Sequence, residues 1–591
     1  MKPFVTSFLG SLLAMVVGGI LFVLLMFGIA GAIAGSFEKE KAVVKENSVL
    51  KLNLNYPIEE QTQSGAAAGL ALLGLDGDQG VGLNDILRSI KHAETDKSIK
   101  GIYVQMGMSP NSYGTLQEIR DALSDFKAGS GKFVIAYGEV ISQNAYYLGS
   151  VADKVYMHPS GALDFKGLSA QVAFYKGAMD KLGVQTQIFY DGKFKSATEP
   201  FRLDRMSEEN RLQLETFLNG MFDGHLSEIA ASRNMDVASC RAIADSLSAW
   251  YPAEAVRLKL LDGLKYYDEV VAEIKSRSGI GEEENMPMVS MTDYSSSFIN
   301  EAEADDEGRI AIVYANGTII DGNSRSGFLG STDFTEMMED IRKDEKIKAV
   351  VLRVNSPGGS AIASDVMWRE IEITKKEKPV VVSMGDYAAS GGYMISCNAN
   401  KIFAEENTLT GSIGVFLIIP EFSGLMEDKL GITIDTANTS KYADFPSVYR
   451  TFSAHEQRIL QAGVDSTYLH FKQMVAAGRG MSVEAVEAIA QGRIWSGVEA
   501  KQNGLVDELG GIDEAIAAAA SLSNMKNYFV VEYPEQKKSF LDDVVMSLTE
   551  ESKAQMLSNE LGMLYPHYIH LNELLQRPTM QARLPFEVVV R

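Results

Sequence analysis

The chain has 591 residues, several times the roughly 100–200 residues of a single domain, so at least two domains are expected. Its 55 basic and 78 acidic residues give a net charge of −23, which argues against a surface that binds nucleic acid or anionic lipid. The two cysteines, Cys240 and Cys397, lie far apart and have neither metal-ligand nor redox spacing, so the sequence predicts no zinc site and no disulfide framework.

An uncharged apolar segment lies near the start of the chain. It covers residues 7–35 and is longer than the roughly 20 residues that a membrane-spanning helix needs. Lys2 precedes it and the mixed-charge stretch EKEKAVVKE follows, which favours a cytoplasmic N-terminus with the rest exported. We therefore predict an uncleaved membrane anchor over residues 1–40. A cleaved signal peptide is the alternative, because Ala32 and Ala34 would suit a processing enzyme.

The remainder contains two diverged copies of one pattern, offset by 247 residues. Three pairs of matching residues keep this offset: Ser109 with Ser356, Gly138 with Gly385, and Arg211 with Arg458. Each copy reads as an apolar strand, a turn, a helix, a second strand and a turn into another helix. This alternation predicts an α/β fold with two tandem βαβ domains around mainly parallel sheets.

Composition suggests where the copies begin and end. We expect the first copy over residues 41–278 and the second over residues 308–535. The acidic, serine-rich and aperiodic segment 279–307 between them is typical of a linker. Residues 536–591 are predicted to form a helical tail with a strand-like end, to which the sequence assigns no function.

The stretch GDYAASGGYMIS places Ser390 between small residues at a predicted turn from strand to helix. A serine nucleophile needs an accessible hydroxyl and two donors aimed at the oxyanion. At such a turn the N–H of Gly391 is left unpaired by the helix, so it is a natural oxyanion donor. The second predicted donor is the N–H of Gly359 in the stretch NSPGGSA, where two glycines allow close approach to the main chain.

A purely structural interpretation of these residues is the alternative: the glycines would permit tight turns and the serine would cap a helix. The first copy favours function instead. It has Asn111 and Ser112 at the positions of the glycine pair and Gln143 at the position of Ser390, although its fold pattern is the same.

The serine also needs a base. None of the seven histidines lies in a stretch that is recognisably tied to Ser390. A lysine can act instead where burial lowers its pKa, because desolvation disfavours the ammonium form.

Four stretches together resemble the signal peptide peptidase A family, also called protease IV, in its long bacterial form with two copies. They are NSPGG, GDYAASGGY, LTGSIG (409–414) and GKFKSATEPF (192–201). The resemblance covers nearly the whole chain. It implies crotonase-like or Clp-protease-like domains behind one transmembrane helix, in a membrane-anchored Ser/Lys endopeptidase that degrades signal peptides left in the membrane.

The resemblance also assigns roles to residues. It implies Ser390 as the nucleophile, Lys195 as the base and Ser412 as the residue that orients the lysine amine, so that one active site is shared between the copies. Four subunits around an enclosed space, the bacterial inner membrane and catalytic domains on its periplasmic side are implied as well. No metal, nucleotide or other cofactor is implied.

Alternatives exist for the base and for the function. Lys441 follows Ser390 by 51 residues, the spacing of the base in shorter relatives, so it is an alternative base, although it lacks the SATEP context of Lys195. Lys193 is expected to be solvated.

An acyl-CoA enzyme of the same superfold and a non-catalytic membrane scaffold are the alternative functions. The serine motif and the acidic charge balance count against the acyl-CoA enzyme. The intact site residues count against the scaffold.

Overall fold

The structure is a computed structural model that describes residue 18 and residues 44–62, 81–298, 308–535 and 580–584. The predicted anchor segment, residues 7–35, lies outside these ranges except for Gly18, and most of the predicted tail also lies outside them. Within the described ranges, no helix is both long enough and apolar enough to cross a membrane.

The first half of the chain alternates strands and helices, as its sequence pattern predicts. Its strands are β1 Ser48–Asn53, β2 Ile99–Met106, β3 Phe133–Ile141, β4 Lys154–Leu163, β5 Gln185–Asp191, β6 Gly263–Leu264 and β7 Met288–Ser290. Its helices are α1 Leu83–Thr95, α2 Tyr113–Ser130, α3 Gln143–Gly149, α4 Lys176–Leu182, α5 Glu199–Arg202, α6 Glu208–Arg233, α7 Val237–Ser246, α8 Pro252–Arg257, α9 Tyr267–Ser278 and α10 Met291–Phe298.

The second half repeats this plan and is followed by one more strand near the C-terminus. Its strands are β8 Arg309–Asn316, β9 Thr318–Ile320, β10 Phe328–Gly330, β11 Ile347–Ser356, β12 Gly358–Ser360, β13 Val380–Ala389, β14 Lys401–Ala404, β15 Leu409–Gly411, β16 Val415–Glu421, β17 Ile494–Ser496, β18 Glu508–Leu509, β19 Phe529–Tyr533 and β20 Gln581–Arg583. Its helices are α11 Ser331–Lys343, α12 Ala361–Lys375, α13 Gly391–Ser396, α14 Ala454–Arg479, α15 Val483–Ile489, α16 Gly497–Gln502 and α17 Ile512–Leu522.

Each copy builds a sheet of parallel strands at its centre. The first has the order β6-β4-β3-β2-β1-β7, and all of its pairs are parallel. The second has the order β17-β15-β13-β11-β8-β19, and only its β15–β17 pair is antiparallel. The central strands are apolar runs buried on both faces, as expected for parallel sheets covered by helices. The predicted α/β class with tandem βαβ units is confirmed.

A third sheet joins the two copies. Its order is β10-β9-β12-β20-β16-β5, and β5 of the first copy runs antiparallel to β16 of the second over seven residue pairs, from Val415 with Asp191 to Glu421 with Gln185. The apolar core also crosses the boundary, because the largest cluster of buried side chains includes Leu52 and Val104 together with Ile312 and Val351. The first copy is therefore packed into the second rather than tethered beside it.

The segment predicted to be an aperiodic linker contains two regular elements. Residues Met288–Ser290 form β7, which pairs in parallel with β1, and helix α10 follows directly. Residues 288–290 form a strand because they pair with the edge of β1. The acidic residues around this short stretch leave no alternation of apolar and polar residues from which a strand could be predicted. The domain boundaries themselves stay predictions.

Candidate active site

Ser390 lies between the end of β13 and the start of α13, at the predicted turn from strand to helix. Its backbone has φ +55° and ψ −111°, and its N–H donates to the carbonyl of Gly411 at 2.8 Å. Positive φ at a residue other than glycine is uncommon, and such strained residues cluster at active sites. The neighbouring strand therefore fixes the direction of a hydroxyl that is fully buried.

Lys195 follows β5 of the first copy and reaches into the second. Its Nζ lies 2.8 Å from Ser390 Oγ and 3.0 Å from both the carbonyl oxygen and the Oγ of Ser412. The residue is 1 % exposed. Burial lowers the pKa of Lys195 well below its usual value, because the ammonium form loses its hydration. A hydroxyl beside an amine that is driven toward its neutral form is the pairing that nucleophilic catalysis requires.

The main chain of Lys195 is held against the second copy. Phe194 N–H donates to the carbonyl of Gln491 at 2.9 Å. A Cβ placed on Gly492, which has φ +76°, would lie 2.6 Å from the backbone of Lys195. Only glycine allows this approach, so Gly492 is required for the lysine to reach Ser390.

The rest of the SATEP stretch has a structural role. Glu199 is 1 % exposed and accepts hydrogen bonds from Ser207 Oγ at 2.5 Å and from Asn210 Nδ2 at 3.0 Å, which ties the stretch to the first turn of α6. Gln213 of α6 donates to the carbonyl of Phe194 at 3.1 Å. Helix α6 thus supports the turn that carries Lys195.

Ser412 has φ +50°, and its N–H donates to the carbonyl of Arg493 at 2.7 Å. Lys195 is consequently bracketed by two strained serines, Ser390 on one side and Ser412 on the other. The structure brings together these three residues, which the sequence singled out from different stretches.

The two glycine turns also meet. Gly359 lies in β12, immediately after Gly358 with φ +93°, and a Cβ on Gly358 would lie 2.7 Å from the nitrogen of Gly391. Ser356 shapes this loop, because its Oγ donates to the carbonyl of Gly317 at 2.7 Å and accepts from Gly358 N–H at 3.2 Å. The predicted donor residues therefore flank one small region beside Ser390.

The other two lysines that the sequence brought into consideration lie on the surface. Lys441 is exposed, with its Nζ 5.1 Å from the ring centroid of its neighbour Tyr442. Lys193 is also exposed, with its Nζ 5.2 Å from the ring of Phe194. Neither has the burial that lowers the pKa of Lys195.

Sequence reasoning missed a buried ionic network behind the site. Arg353 is fully buried on β11, and its guanidinium donates to Glu60 at 2.7 Å and to Glu118 at 2.5 Å, both from the first copy. Glu60 also accepts from Asn355 Nδ2 at 2.8 Å, and Asn355 Oδ1 accepts from the N–H of Tyr387 at 3.1 Å. Asn355 is the first residue of the NSPGG stretch, and this stretch is the one part of the network that the sequence singles out. The residues around Glu60 contain no motif that predicts its contact with Arg353.

In the first copy, polar side chains replace the glycine and the serine at the corresponding place. Asn144, at the position of Gly391, donates through Nδ2 to the carbonyls of Ser109 and Asn111 at 3.0 and 2.8 Å. Gln143, at the position of Ser390, accepts through Oε1 from the N–H groups of Lys166 and Gly167 at 2.9 and 2.8 Å. Both amide side chains are thus paired within the protein.

The sequence matches known proteins along most of its length. The model of peptidase family S49 matches twice, at residues 127–281 and 372–526. Protease 4 of Salmonella typhi is 37% identical over 502 residues, covering 83% of this chain and 80% of its own. Protease 4 of Haemophilus influenzae is 32% identical over 92% of this chain and 91% of its own. The chloroplastic serine protease SPPA of Arabidopsis thaliana is 32% identical over 82% of this chain and 70% of its own.

The double match agrees with the repeat seen in the sequence and with the two parallel sheets. The chain therefore belongs to peptidase family S49 and is a serine-type protease.

Proposed function

We propose that the chain is a membrane-anchored endopeptidase in which Ser390 is the nucleophile and Lys195 the general base. The observation that carries this proposal is the 2.8 Å distance between Lys195 Nζ and Ser390 Oγ, in a site where the amine is 1 % exposed. Burial favours the neutral amine, which is the form that accepts a proton.

Ser412 orients that amine. A neutral amine has two N–H donors and one lone pair. If the two donors point to the carbonyl oxygen and the Oγ of Ser412, both at 3.0 Å, the lone pair faces the hydroxyl of Ser390.

The reaction follows from this arrangement. Ser390 Oγ attacks the substrate carbonyl while its proton passes to Lys195 Nζ, and the N–H groups of Gly359 and Gly391 stabilise the oxyanion. Lys195 then gives the proton to the leaving nitrogen, the peptide bond breaks and an acyl-enzyme remains. Water, deprotonated by Lys195, attacks this ester, and Lys195 returns the proton to Ser390 Oγ as the bond breaks, which releases the new carboxyl end and restores the free enzyme.

The proposed substrates are signal peptides that remain in the membrane after their release from preproteins. The apolar segment 7–35 would hold the enzyme in the bacterial inner membrane, with both copies on the periplasmic side and four subunits around a common space. Membership of peptidase family S49 and similarity to relatives named Protease 4 and SPPA support this assignment.

Three alanine variants test the mechanism in detergent micelles with an apolar fluorogenic peptide. Ser390→Ala and Lys195→Ala should each lower kcat/KM by about 10³-fold or more, as expected for residues that act as one catalytic unit. Lys441→Ala is the matched control and should stay within about twofold of the unmodified protein. Retained activity in Ser390→Ala would refute the mechanism, and loss confined to Lys441→Ala would transfer the role of base to Lys441.

The substrate assignment needs its own comparison. A synthetic signal peptide in liposomes that also contain the enzyme should be degraded, whereas a folded soluble protein of similar length should stay intact. Equal cleavage of both would contradict the proposed substrate class.

A further inference from the structure

The guanidinium of Arg493 contacts two aromatic rings that come from different copies. Its Cζ lies 4.1 Å from the ring centroid of Trp495 on β17 and 5.4 Å from that of Phe194, the residue before Lys195. Both distances fall within the roughly 6 Å over which an aromatic face attracts a cation. The side chain therefore joins the second copy to the residue that precedes the proposed base.

Trp495 provides a fixed surface for this contact. It is 9 % exposed, and its Nε1 donates to the carbonyl of Ile489 at 2.9 Å. Its strand β17 runs antiparallel to β15, with Trp495 opposite Thr410. A planar guanidinium stacks on an aromatic face, which a lysine ammonium cannot do. The second copy thus sets the position of Arg493, and the ring of Phe194 is what Arg493 holds.

The Nε of Arg493 is buried and has no hydrogen-bond partner among the residues that the structure describes. Burying a polar donor without a partner is destabilising, so such a group calls for an explanation. An apolar side chain could pack between two rings without that cost. Packing of the core therefore does not by itself explain an arginine at this position.

The main chain of Arg493 reaches the other side of the same amine. Its carbonyl accepts the N–H of Ser412 at 2.7 Å, and the carbonyl oxygen and Oγ of Ser412 lie 3.0 Å from Lys195 Nζ. Gly492, directly before Arg493, is the residue on which a Cβ would meet the backbone of Lys195. Arg493 consequently contacts Phe194 through its guanidinium and Ser412 through its carbonyl.

We propose that Arg493 is a positioning residue for the Ser/Lys pair, because its guanidinium holds Phe194 and thereby keeps the Lys195 amine between Ser390 and Ser412. This inference rests on the proposed function. It gives Arg493 no contact with the substrate, so loss of the side chain should slow the reaction without weakening substrate binding. Loss should also let water reach the amine, which favours the ammonium form.

Arg493→Met tests this in detergent micelles with an apolar fluorogenic peptide. Methionine has no charge and leaves the main-chain bond to Ser412 in place. We expect kcat to fall about 10-fold or more with KM within about twofold, since a misplacement of about 1 Å can cost about 100-fold in rate. The acid limb of the kcat/KM profile reports the base of the free enzyme, and it should move to higher pH. Arg493→Lys keeps a cation near the rings without the planar stack, so its kcat should lie between those of Arg493→Met and the unmodified protein.

Lys193→Met is the matched control, because Lys193 is exposed and its Nζ lies 5.2 Å from the same ring of Phe194. It should stay within about twofold in kcat and leave the acid limb unchanged. An equal loss of kcat in Lys193→Met would refute the role given to Arg493.

A lower Tm in Arg493→Met with unchanged kcat and unchanged pH profile would show that Arg493 supports only the fold, which would refute the proposal. Should Arg493→Met fail to fold, Arg493→Lys takes its place, and unchanged kcat and pH profile in that variant would refute the proposal too. Either result beside an inactive Ser390→Ala leaves the proposed function standing. Retained activity in Ser390→Ala would remove the proposed function and this inference together.

Discussion

At the scale of single residues, the decisive property of the site is a buried lysine whose pKa is lowered by desolvation. Lys195 is buried without an acidic partner among its hydrogen bonds, which run to Ser390 and to Ser412. Desolvation alone lowers its pKa. The cost of this arrangement falls on stability, because the unfolded chain can protonate the amine freely.

The effect of Lys195 on the free energy of unfolding depends on pH and can be measured. Between the lowered pKa of Lys195 in the fold and 10.5 in the unfolded chain, the unfolded state binds more protons, so the free energy of unfolding rises with pH. We expect Lys195→Met to have a higher Tm than the unmodified protein near pH 7, and the difference to shrink toward pH 10. Thermal unfolding across this range checks it; a difference that does not vary with pH would contradict a depressed pKa.

The sequence predicted the residues of the candidate site, but it did not predict the buried ionic network behind them. Ser390, Lys195 and Ser412 stand in stretches whose residue types carry chemistry, and the family resemblance connected them. Glu60 has no such context, since its partner Arg353 is 293 residues away and only the fold brings the two together.

At the scale of elements, the site depends on turns that no bulkier residue could make. Strand β5 delivers Lys195, and the turn at Gln491 and Gly492 receives it. The strands themselves follow from apolar runs that are visible in the sequence. The edge strand β7 and helix α10 were missed because their conformation is selected by the edge of β1 rather than by their own composition.

Gly492→Ala tests the receiving turn. Alanine at φ +76° costs about 1–2 kcal/mol of backbone strain, and its Cβ would press on the backbone of Lys195 at 2.6 Å. A displacement of about 1 Å in a catalytic group can cost about 100-fold in rate, so kcat should fall by about that factor while KM changes little. Gly279→Ala, also at positive φ but with open space around it, is the control for strain alone and should leave kcat unchanged.

At the scale of the whole molecule, the two copies are joined by buried ionic and polar contacts around the proposed active site. Glu60 and Glu118 of the first copy neutralise Arg353 inside the second. Asp386, four residues before Ser390, accepts from the N–H and the Oγ1 of Thr115 in the first copy, both at 2.9 Å. The strand that leads to the proposed nucleophile is therefore anchored by the half that carries the proposed base.

Variants of Glu60 and Glu118 can show whether the buried ionic network affects the reaction or only the stability of the fold. Glu60 contacts both Arg353 and Asn355, whereas Glu118 contacts Arg353 without reaching the NSPGG loop. We expect Glu60→Gln to lower kcat about tenfold with KM nearly unchanged, because losing one charged hydrogen bond worth about 1.5–3 kcal/mol lets Asn355 shift.

Glu118→Gln is the matched control. Burial raises the pKa of Glu118, and its hydrogen bond runs to Arg353 rather than to Asn355, so a neutral amide there leaves the NSPGG loop in place. It should leave kcat within about twofold, and a fall in kcat as large as that of Glu60→Gln would show that the network acts only through general stability.

The hydrogen bonds of Asn144 and Gln143 in the first copy also bear on ancestry. If both halves once carried a working centre, returning serine to position 143 would not revive the lost one, because the amide of Asn144 would still occupy the carbonyls of Ser109 and Asn111. Several simultaneous changes would be needed, each without benefit alone. A disabling mutation in either copy would therefore silence the proposed active site, because Lys195 comes from one copy and Ser390 from the other.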